Sequence, residues 1–330
     1  MTNSCLQPIP VIQVAAQDEP ALAALRAEPG RLAALFASGR KSYTPIGLRL
    51  ADDASRKWSR RVISPYAGVV DHVDRMIGAK GAYLLNYAYE WGCTTGALDD
   101  AAQGGPTLMR VLDWPFHGLG RALVVTRSNG PAGPYDSLTW PGFAGVLTAS
   151  APGRFAAAIN QPPLPNPWGK LVGWPLARVK VARSRASPPT HLLRLAFDQC
   201  RTFDAAVELI RATPICIPAI FTLAGAAPGE TVTIERTENK SFFAPEPAAA
   251  NHWASSPGPL GRRRNPSSQP RRAAMLHLLR QQPDWSLGWL RPPILVADTR
   301  VAMMANPASG RLIAQGFEKR GCATERLELG

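Results

Sequence analysis

The chain has 330 residues, of which 45% are hydrophobic and 18% are charged, and this composition is typical of a folded globular protein and excludes a disordered one. Its length is sufficient for one large domain or for two smaller ones. No apolar run approaches the ~20 residues that a helix needs to span a bilayer, so we expect no membrane-spanning segment.

Taken in chain order, apolar residues at helical spacing predict helices over about 18–38 and 47–77. After Cys93 the spacing changes to that of strands, which are predicted at 94–98, 107–112, 121–127, 146–148 and 155–160. Two helices at 191–200 and 203–211 follow, then strands at 214–223 and 230–237, a helix at 271–281, and a closing hairpin of 300–305 with 311–315. This order of strands, helices and strands indicates an α/β layered domain with mixed sheets.

The formal net charge of +13 includes two basic clusters, at 178–185 and at 262–264 with Arg271-Arg272. Such charge suits a nucleic acid or an anionic membrane surface. The cations are not interleaved with aromatic residues and no nucleic-acid-binding motif is present, so we expect no nucleic-acid partner. An arginine-rich genomic composition is the favoured explanation, and peripheral contact with an anionic membrane is the alternative.

The N-terminus and the cysteines bear on the cellular compartment. Residues 1–8 have neither a basic start nor a continuous apolar stretch, so the sequence predicts a cytoplasmic protein without a secretory signal. The five cysteines are scattered, form no metal-binding spacing, and are odd in number, which argues against a disulfide framework. We therefore expect a reduced protein without metal or organic cofactor, in which one cysteine performs chemistry.

Cys93 is the candidate, because it lies between Gly92 and two threonines and is followed by Arg110 and Asp113. A thiol reacts only as the thiolate and needs a base or a lowered pKa. If the chain cuts itself between Gly92 and Cys93, the freed α-amine, with a pKa of ~7.7–8.0, supplies a base within the same residue. A glycine before the cysteine suits the tightly bent attack of the thiol on its own preceding carbonyl. The sequence therefore predicts self-cleavage.

Three motifs carry a family resemblance: Cys93-Thr94-Thr95, Arg110-x-x-Asp113-Trp114-Pro115-Phe116, and a glycine-phenylalanine block from Phe143 to Phe155. Together they resemble the N-terminal-nucleophile cysteine hydrolases of the acid ceramidase and N-acylethanolamine acid amidase family, with the choloylglycine hydrolases as wider relatives. The resemblance covers about residues 86–311. It implies an α+β fold, a four-layer αββα sandwich, made as a proenzyme. Residues 1–92 would form a helical light chain and residues 93–330 the catalytic domain.

The resemblance also implies roles for individual residues. Cys93 matches the nucleophile, first for self-cleavage and then for substrate. Arg110 matches an arginine beside the sulfur, where its charge favours the thiolate and binds a substrate oxygen. Asp113 matches the carboxylate that holds the α-ammonium group.

Two asparagines and a second arginine complete the implied site. Asn160 and Asn251 match asparagines that donate to the oxyanion. Arg271 matches the last arginine of the family's site, although Arg272 could hold the same place. The chain departs from the family pattern in having only His252 between Asn251 and the next tryptophan, and this leaves the substrate range and the pH optimum open.

Other side chains have simpler interpretations. His117, His191 and His252 are not expected to act as bases, because the α-amine already supplies one. Asp99-Asp100 is expected to form a turn between strands, and Ser267-Ser268 to cap the helix that follows.

The favoured function is the hydrolysis of a linear N-acyl amide, similar to a ceramide or an N-acylethanolamine, through a thioester on Cys93. The Gly92-Cys93-Thr94 junction also resembles the acyltransferases that make penicillins, so transfer of the acyl group to an amine is the alternative. A lipid- or nucleic-acid-binding protein without catalytic activity is the third possibility.

Overall fold

A computed structural model describes residues 6–42, 44–89, 91–99, 104–162, 183–255 and 267–330. Within these ranges the helices are α1 (Pro20–Ala27), α2 (Pro29–Ser42), α3 (Pro45–Ser59), α4 (Ala67–Ile77), α5 (Ala82–Tyr87), α6 (Pro189–Gln199), α7 (Phe203–Ala212) and α8 (Ser268–Gln281). The strands are β1 (Val11–Gln13), β2 (Gly92–Leu98), β3 (Thr107–Asp113), β4 (Val124–Gly130), β5 (Gly133–Thr139), β6 (Thr148–Ala151), β7 (Phe155–Asn160), β8 (Ala219–Gly225), β9 (Thr231–Arg236), β10 (Ser241–Phe243), β11 (Ala248–Ala249), β12 (Thr299–Asn306), β13 (Arg311–Glu318), β14 (Gly321–Cys322) and β15 (Leu327–Leu329).

The strands form two sheets. One has eight strands in the order β1-β4-β5-β6-β7-β8-β9-β10, and the other follows the path β11-β2-β3-β12-β13-β14, with β15 also paired to β13. All strand pairs are antiparallel except β1 with β4, which is parallel. Neighbouring antiparallel strands can follow one another through short turns, so most of each sheet is built from consecutive segments.

Alternation along the strands separates an inner face from an outer face. On β7, Ala156 and Ala158 belong to the core between the sheets, whereas Phe155 and Ile159 pack against α6 and α7. The other sheet repeats this arrangement, with its outer face packed against α8. The result is a four-layer αββα sandwich, and the predicted fold class is confirmed.

The first 92 residues do not form a separate layer. Their helices contribute Leu35, Trp58, Val70 and Tyr83 to the same core as the inner faces of the sheets. They also supply β1, whose residues pair with 125–127 of β4. This strand was absent from the sequence-based prediction, which described the segment as helical. The boundary between residues 92 and 93 stays a prediction.

Most other predicted elements occur with shifts of a few residues at their ends. β7 has the predicted bounds, and the helix predicted over 47–77 is divided into α3 and α4 by a segment that contains Ser64-Pro65. β5 was not predicted, because its sequence is rich in glycine, proline and serine. The basic clusters at 178–185 and 262–264 lie largely or wholly outside the described residues.

Candidate active site

Cys93 is the second residue of β2 and points from the inner face of its sheet. Its side chain is fully buried. The sulfur lies 3.6 Å from the carbonyl oxygen of Ile159, on the facing sheet, and the backbone N–H donates to Oδ1 of Asn251 at 2.8 Å. Both reactive atoms that the prediction requires, the sulfur and the nitrogen of the same residue, are thus held by neighbours.

Arg110 lies on the inner face of β3, diagonally across from Cys93. The β2–β3 register pairs Cys93 with Leu112, so Arg110, two residues earlier, shares the face of the sulfur. Burial raises the pKa of the Cys93 thiol, and the guanidinium of Arg110 opposes that rise. Among the described residues, Nε and Nη2 of Arg110 have no hydrogen-bond partner. This buried cation therefore keeps donor capacity beside the sulfur.

Asp113 ends β3 opposite Gly92. Its Oδ2 accepts from Nη1 of Arg271 at 2.7 Å, and its Oδ1 accepts from the hydroxyl of Thr299 at 2.8 Å. Burial raises the pKa of Asp113, whereas Arg271, Thr299 and Arg110 each act to lower it. A Cβ at Gly92 would lie 3.2 Å from Cβ of Asp113, which explains why the smallest residue precedes Cys93.

Arg271 lies in the first turn of α8 and is fully buried. Besides Asp113, it donates to the carbonyl oxygen of Cys93 at 3.0 Å and to Oγ1 of Thr94 at 3.1 Å. Its Nη2 donates to Oδ1 of Asn251 at 2.7 Å. Arg272 instead contacts the carbonyl oxygen of Ala248. Of the two arginines left open by the sequence, Arg271 is therefore the one beside Cys93.

Asn160 and Asn251 join the two sheets by a reciprocal pair of bonds. The amide of Asn160 donates to the carbonyl oxygen of Ala250 at 3.2 Å, and that of Asn251 donates to the carbonyl oxygen of Gln161 at 2.7 Å. Each asparagine thus bonds to the chain neighbour of the other. This places the end of β7 against the segment after β11.

The same bonds decide which atoms of the two asparagines face the reaction centre. Oδ1 of Asn160 accepts from Arg110 at 2.7 Å and from Thr95 at 3.1 Å, and Oδ1 of Asn251 accepts from Cys93 and Arg271. Both amide groups donate to backbone carbonyls instead of towards an oxyanion. In the uncut chain Arg110 has nitrogens without a hydrogen-bond partner among the described residues, and the donor roles of the asparagines stay predictions.

Two positioning side chains were not found by sequence reasoning. Thr299 bonds to Asp113, and the hydroxyl of Ser268 accepts from the backbone N–H of Asn251 at 2.7 Å and lies 2.7 Å from Nδ1 of His252. Ser268 therefore orients Asn251 instead of capping α8. Serine and threonine are too common for their position in sequence to reveal these contacts.

His117 and His191 interact with groups other than the sulfur of Cys93. His117 is largely exposed and lies 3.7 Å from Glu318. His191 is buried against Ser64, and burial lowers its pKa to about 3, so it is neutral. In the described parts of the chain, histidine, cysteine and carboxylate side chains do not gather into a group of three that could bind a metal ion.

An apolar cleft opens beside this cluster, between α2, α3 and α5 and the loop that follows β3. Its space of about 490 Å³ includes a part open to solvent. Trp114, which follows Asp113 in the chain, lines the cleft and contacts Trp91, which precedes Gly92. The two ring centroids are 5.4 Å apart and the ring planes are tilted by 59°. Arg40 and Lys80 are the cations among its lining residues.

The comparisons with known proteins agree with the sequence motifs. The chain is 26% identical over 201 residues to the N-acylethanolamine-hydrolyzing acid amidase of Oryctolagus cuniculus, a match covering 58% of this chain and 53% of that protein. With the enzyme of the same name from Mus musculus it shares 28% identity over 159 residues, or 46% of this chain and 41% of that protein. The chain is similar to N-acylethanolamine-hydrolyzing acid amidases. The family resemblance stated from the motifs is thereby confirmed.

A solved structure supports the fold independently. The Caenorhabditis elegans ortholog of N-acylethanolamine-hydrolyzing acid amidase has a TM-score of 0.50 and 18% identity, and the match covers 66% of this chain and 93% of that one. At this identity the likeness concerns the fold alone. The chain spans about half the length of the curated relatives it matches. No protein-family profile matches the chain.

Proposed function

We propose that this chain cuts its own backbone between Gly92 and Cys93, and that Cys93 then hydrolyses linear N-acyl amides through a thioester. The observation that carries the proposal is the environment of Cys93. Its thiol lies beside the buried cation of Arg110, and its backbone nitrogen is bonded to Asn251. After cleavage, the amine and the thiol would belong to one residue in these surroundings.

The cleavage would proceed in two steps. The sulfur of Cys93 attacks the carbonyl carbon of Gly92, the C–N bond breaks as the C–S bond forms, and the thiol proton passes to the departing nitrogen. Water then hydrolyses the thioester and leaves a carboxylate on Gly92 and a free thiol and amine on Cys93. Arg110 would favour the thiolate, and Asp113 would stabilise the ammonium group.

Substrate turnover would repeat these steps on an external amide. The α-amine accepts the thiol proton and returns it to the leaving amine, and water releases the acid from the thioester. Cys93 is fully buried in the uncut chain, so an external amide cannot contact the sulfur before cleavage. The uncut chain would therefore be inactive toward substrate.

We infer an apolar acyl group on the substrate. The relatives are named for hydrolysing N-acylethanolamines, and the apolar cleft of this chain is lined by the aromatic residue that follows Asp113. An apolar chain gains about 0.8 kcal/mol for each methylene group that it buries. The loss of activity on shortening the acyl chain would measure this contribution.

The two halves would stay together after cleavage. Arg194 of α6 is buried and bonds to Glu19 at 2.7 Å, and its guanidinium lies 4.0 Å from the ring centre of Tyr66. Tyr66 in turn donates to Asp198 at 2.6 Å. Together with the shared core, this buried network would hold residues 6–92 on the catalytic half.

The decisive test is the intact mass of the purified wild type beside Cys93→Ala. We expect two fragments, meeting between residues 92 and 93, from the wild type and one full-length chain from the variant. A wild type that folds and stays uncut would contradict the proposal and favour a binding protein without catalytic activity. A panel of N-acyl amides, assayed with and without an added acceptor amine, would separate hydrolysis from acyl transfer.

Accessibility of the thiol gives a second test. In a background with Cys5 and Cys322 replaced by serine, Cys93 of the uncut chain should resist alkylation, because it is fully buried. Uncut material is available from Gly92→Pro, which we expect to block the attack. Rapid alkylation of the uncut chain at Cys93 would contradict the need for cleavage.

We further propose contact with an anionic membrane through α3. Its residues Ile46, Arg49, Leu50 and Lys57, with Arg60 just after its end, recur at helical spacing and are all exposed, Ile46 by 74% and Leu50 by 66%. Apolar groups beside cations are typical of a helix lying on a membrane surface. No described helix is long and apolar enough to cross a bilayer.

Vesicle sedimentation tests this contact. Vesicles containing phosphatidylserine should retain the protein, and phosphatidylcholine vesicles should not. Leu50→Asp should abolish retention without changing self-cleavage. Equal binding to both vesicles, or unchanged binding by Leu50→Asp, would contradict a contact made by α3.

A further inference from the structure

The hydroxyl of Thr299 has a fixed direction. Thr299 is the first residue of β12 and is fully buried. Its Oγ1 accepts the backbone N–H of Val296 at 3.0 Å and lies 2.8 Å from Oδ1 of Asp113. Because an ionised carboxylate can only accept, the hydroxyl hydrogen points to Asp113. The N–H of Val296 thus orients a hydroxyl that donates to the carboxylate.

We propose that Thr299 is a positioning residue of the self-cleaving site, which holds the ionised carboxyl group of Asp113 in place opposite Gly92, the residue before the scissile bond. The inference rests on the proposed function, because Asp113 matters to the reaction only if the nitrogen of Cys93 is released. Thr299 contacts neither this nitrogen nor the sulfur. Its whole effect would pass through Asp113.

The surroundings of Asp113 make this donor necessary. Asp113 is buried. The negative charges of Asp298, just before β12, and of an ionised Cys93 on β2 both disfavour a negative charge on Asp113. The cations that face it are Arg271 from α8, bonded to Oδ2, and Arg110 from its own strand. Among the described residues, Oδ1 receives its side-chain hydrogen bond from Thr299.

The direction of the effect follows from the charge. A hydrogen bond to the ionised form lowers the pKa of a carboxyl, so loss of the Thr299 hydroxyl raises the pKa of Asp113. As the pH falls, a reaction that needs the ionised carboxylate then begins to slow at a higher pH than in the wild type. The acid side of the pH–rate profile should move upward, by roughly one pH unit for a hydrogen bond to a charged group.

The test compares Thr299→Val with Thr299→Ser. The full-length chains are refolded from urea into buffers between pH 4 and pH 9, and cleavage is followed by intact mass. Thr299→Val has nearly the shape of threonine and should shift the acid limb up by roughly one unit, with cleavage roughly ten-fold slower on that limb. Thr299→Ser keeps the hydroxyl and should match the wild type.

Thr139→Val is the matched control. Thr139 is also buried on a strand, and in the described structure its hydroxyl has no hydrogen-bond partner. This variant should leave the pH profile unchanged. Should Thr299→Val fail to refold, Thr299→Ala carries the same prediction.

The outcomes separate the inference from the proposed function. A wild type that is never cut overturns both. If the wild type is cut and the acid limb of its pH–rate profile coincides with those of Thr299→Val and Thr299→Ala, the positioning role alone is overturned. A loss of rate that is uniform across pH would show a structural role and would equally overturn it.

Discussion

Two pairs, each of one arginine and one asparagine, lie near Cys93. The bond between arginine and asparagine is the same in both pairs, but the other hydrogen bonds of the two arginines differ. In each pair an arginine Nη donates to an asparagine Oδ1 at 2.7 Å, Arg110 to Asn160 and Arg271 to Asn251. Arg271 also bonds to Asp113 and to the backbone of Cys93. Among the described residues, Arg110 has two nitrogens without a hydrogen-bond partner, Nε and Nη2, and Arg271 has one, Nε.

The difference shows which pair is available for chemistry. A buried guanidinium with open donors beside a thiol can stabilise a thiolate or a developing oxyanion, since its remaining bonds are not already made. A guanidinium bonded to a carboxylate and to backbone oxygens instead fixes those groups in place. The two arginines near Cys93 are therefore expected to respond differently to replacement.

Replacement of Arg110 should have the largest effect on reaction rate. Arg110→Met keeps the length of the side chain and removes the charge that favours the thiolate, so we expect self-cleavage to slow by about 10³-fold. Stability should change little, because this buried cation lacks a bonded carboxylate among the described residues. The rate is measured by intact mass over time and stability by urea unfolding. A rate within ten-fold of the wild type would contradict the role of Arg110.

Replacement of Arg271 should have the largest effect on stability. Arg271→Met leaves Asp113 charged and unpaired in the core, and breaking a buried ion pair in this way costs about 3–5 kcal/mol. The double variant with Asp113→Asn should recover much of this loss in urea unfolding. If the losses of stability in Arg271→Met and Asp113→Asn simply add in the double variant, the ion pair is not the source of the stability that Arg271 contributes.

The contrast between the pairs marks the limit of prediction from sequence. β7 was predictable from hydrophobic spacing, and the proximity of Cys93, Arg110 and Asp113 from short motifs. The direction of an asparagine amide is not predictable from sequence, because it depends on which backbone carbonyl group the other sheet brings near. Similarly, the bond between Thr299 and Asp113 joins residues 186 positions apart.

β1 shows the same limit for the fold. Its three residues, Val11-Ile12-Gln13, lie in an apolar segment that follows two prolines, and their strand conformation accompanies parallel pairing with β4. A run of three residues is too short for alternation of apolar and polar side chains to identify a strand, although Val11 and Ile12 are of strand-favouring types. Helices were easier to predict because their bonds lie within the segment, as when Thr44 accepts from Gly47 at the start of α3.

Changing each asparagine to aspartate sharpens the comparison further. Asn160→Asp would place a carboxylate on Arg110 and reduce the positive field at the sulfur, which raises the pKa of the Cys93 thiol. Cleavage should slow by about 10²-fold at neutral pH and recover as the pH rises, since more thiolate then forms. Asn251→Asp retains the acceptor for the N–H of Cys93 and adds charge beside Arg271, so its rate should stay within about ten-fold of the wild type.

The pH profiles of the two variants, with cleavage followed by intact mass, give the measurement. Urea unfolding serves as the control for folding in both. Equal losses in Asn160→Asp and Asn251→Asp, or a loss in Asn160→Asp that persists at high pH, would mean that the charge on Arg110 is not the controlling factor.

Gly92→Ala should have the smallest effect, because its methyl group lies against Asp113 and Asn251, which both bond to Arg271. Its new methyl group would lie 3.2 Å from Cβ of Asp113, so Asp113 must move by a few tenths of an ångström, and 3.6 Å from Oδ1 of Asn251, which is an ordinary contact. We expect cleavage to slow by about ten-fold and stability to fall by about 1 kcal/mol. Gly96→Ala is the control on the same strand, since it contacts Met275 and Leu279 of α8 instead. It should affect stability in urea unfolding and leave the rate per folded molecule unchanged. If Gly92→Ala matched the wild type in rate, the close approach of Asp113 to residue 92 would have no part in holding the scissile bond.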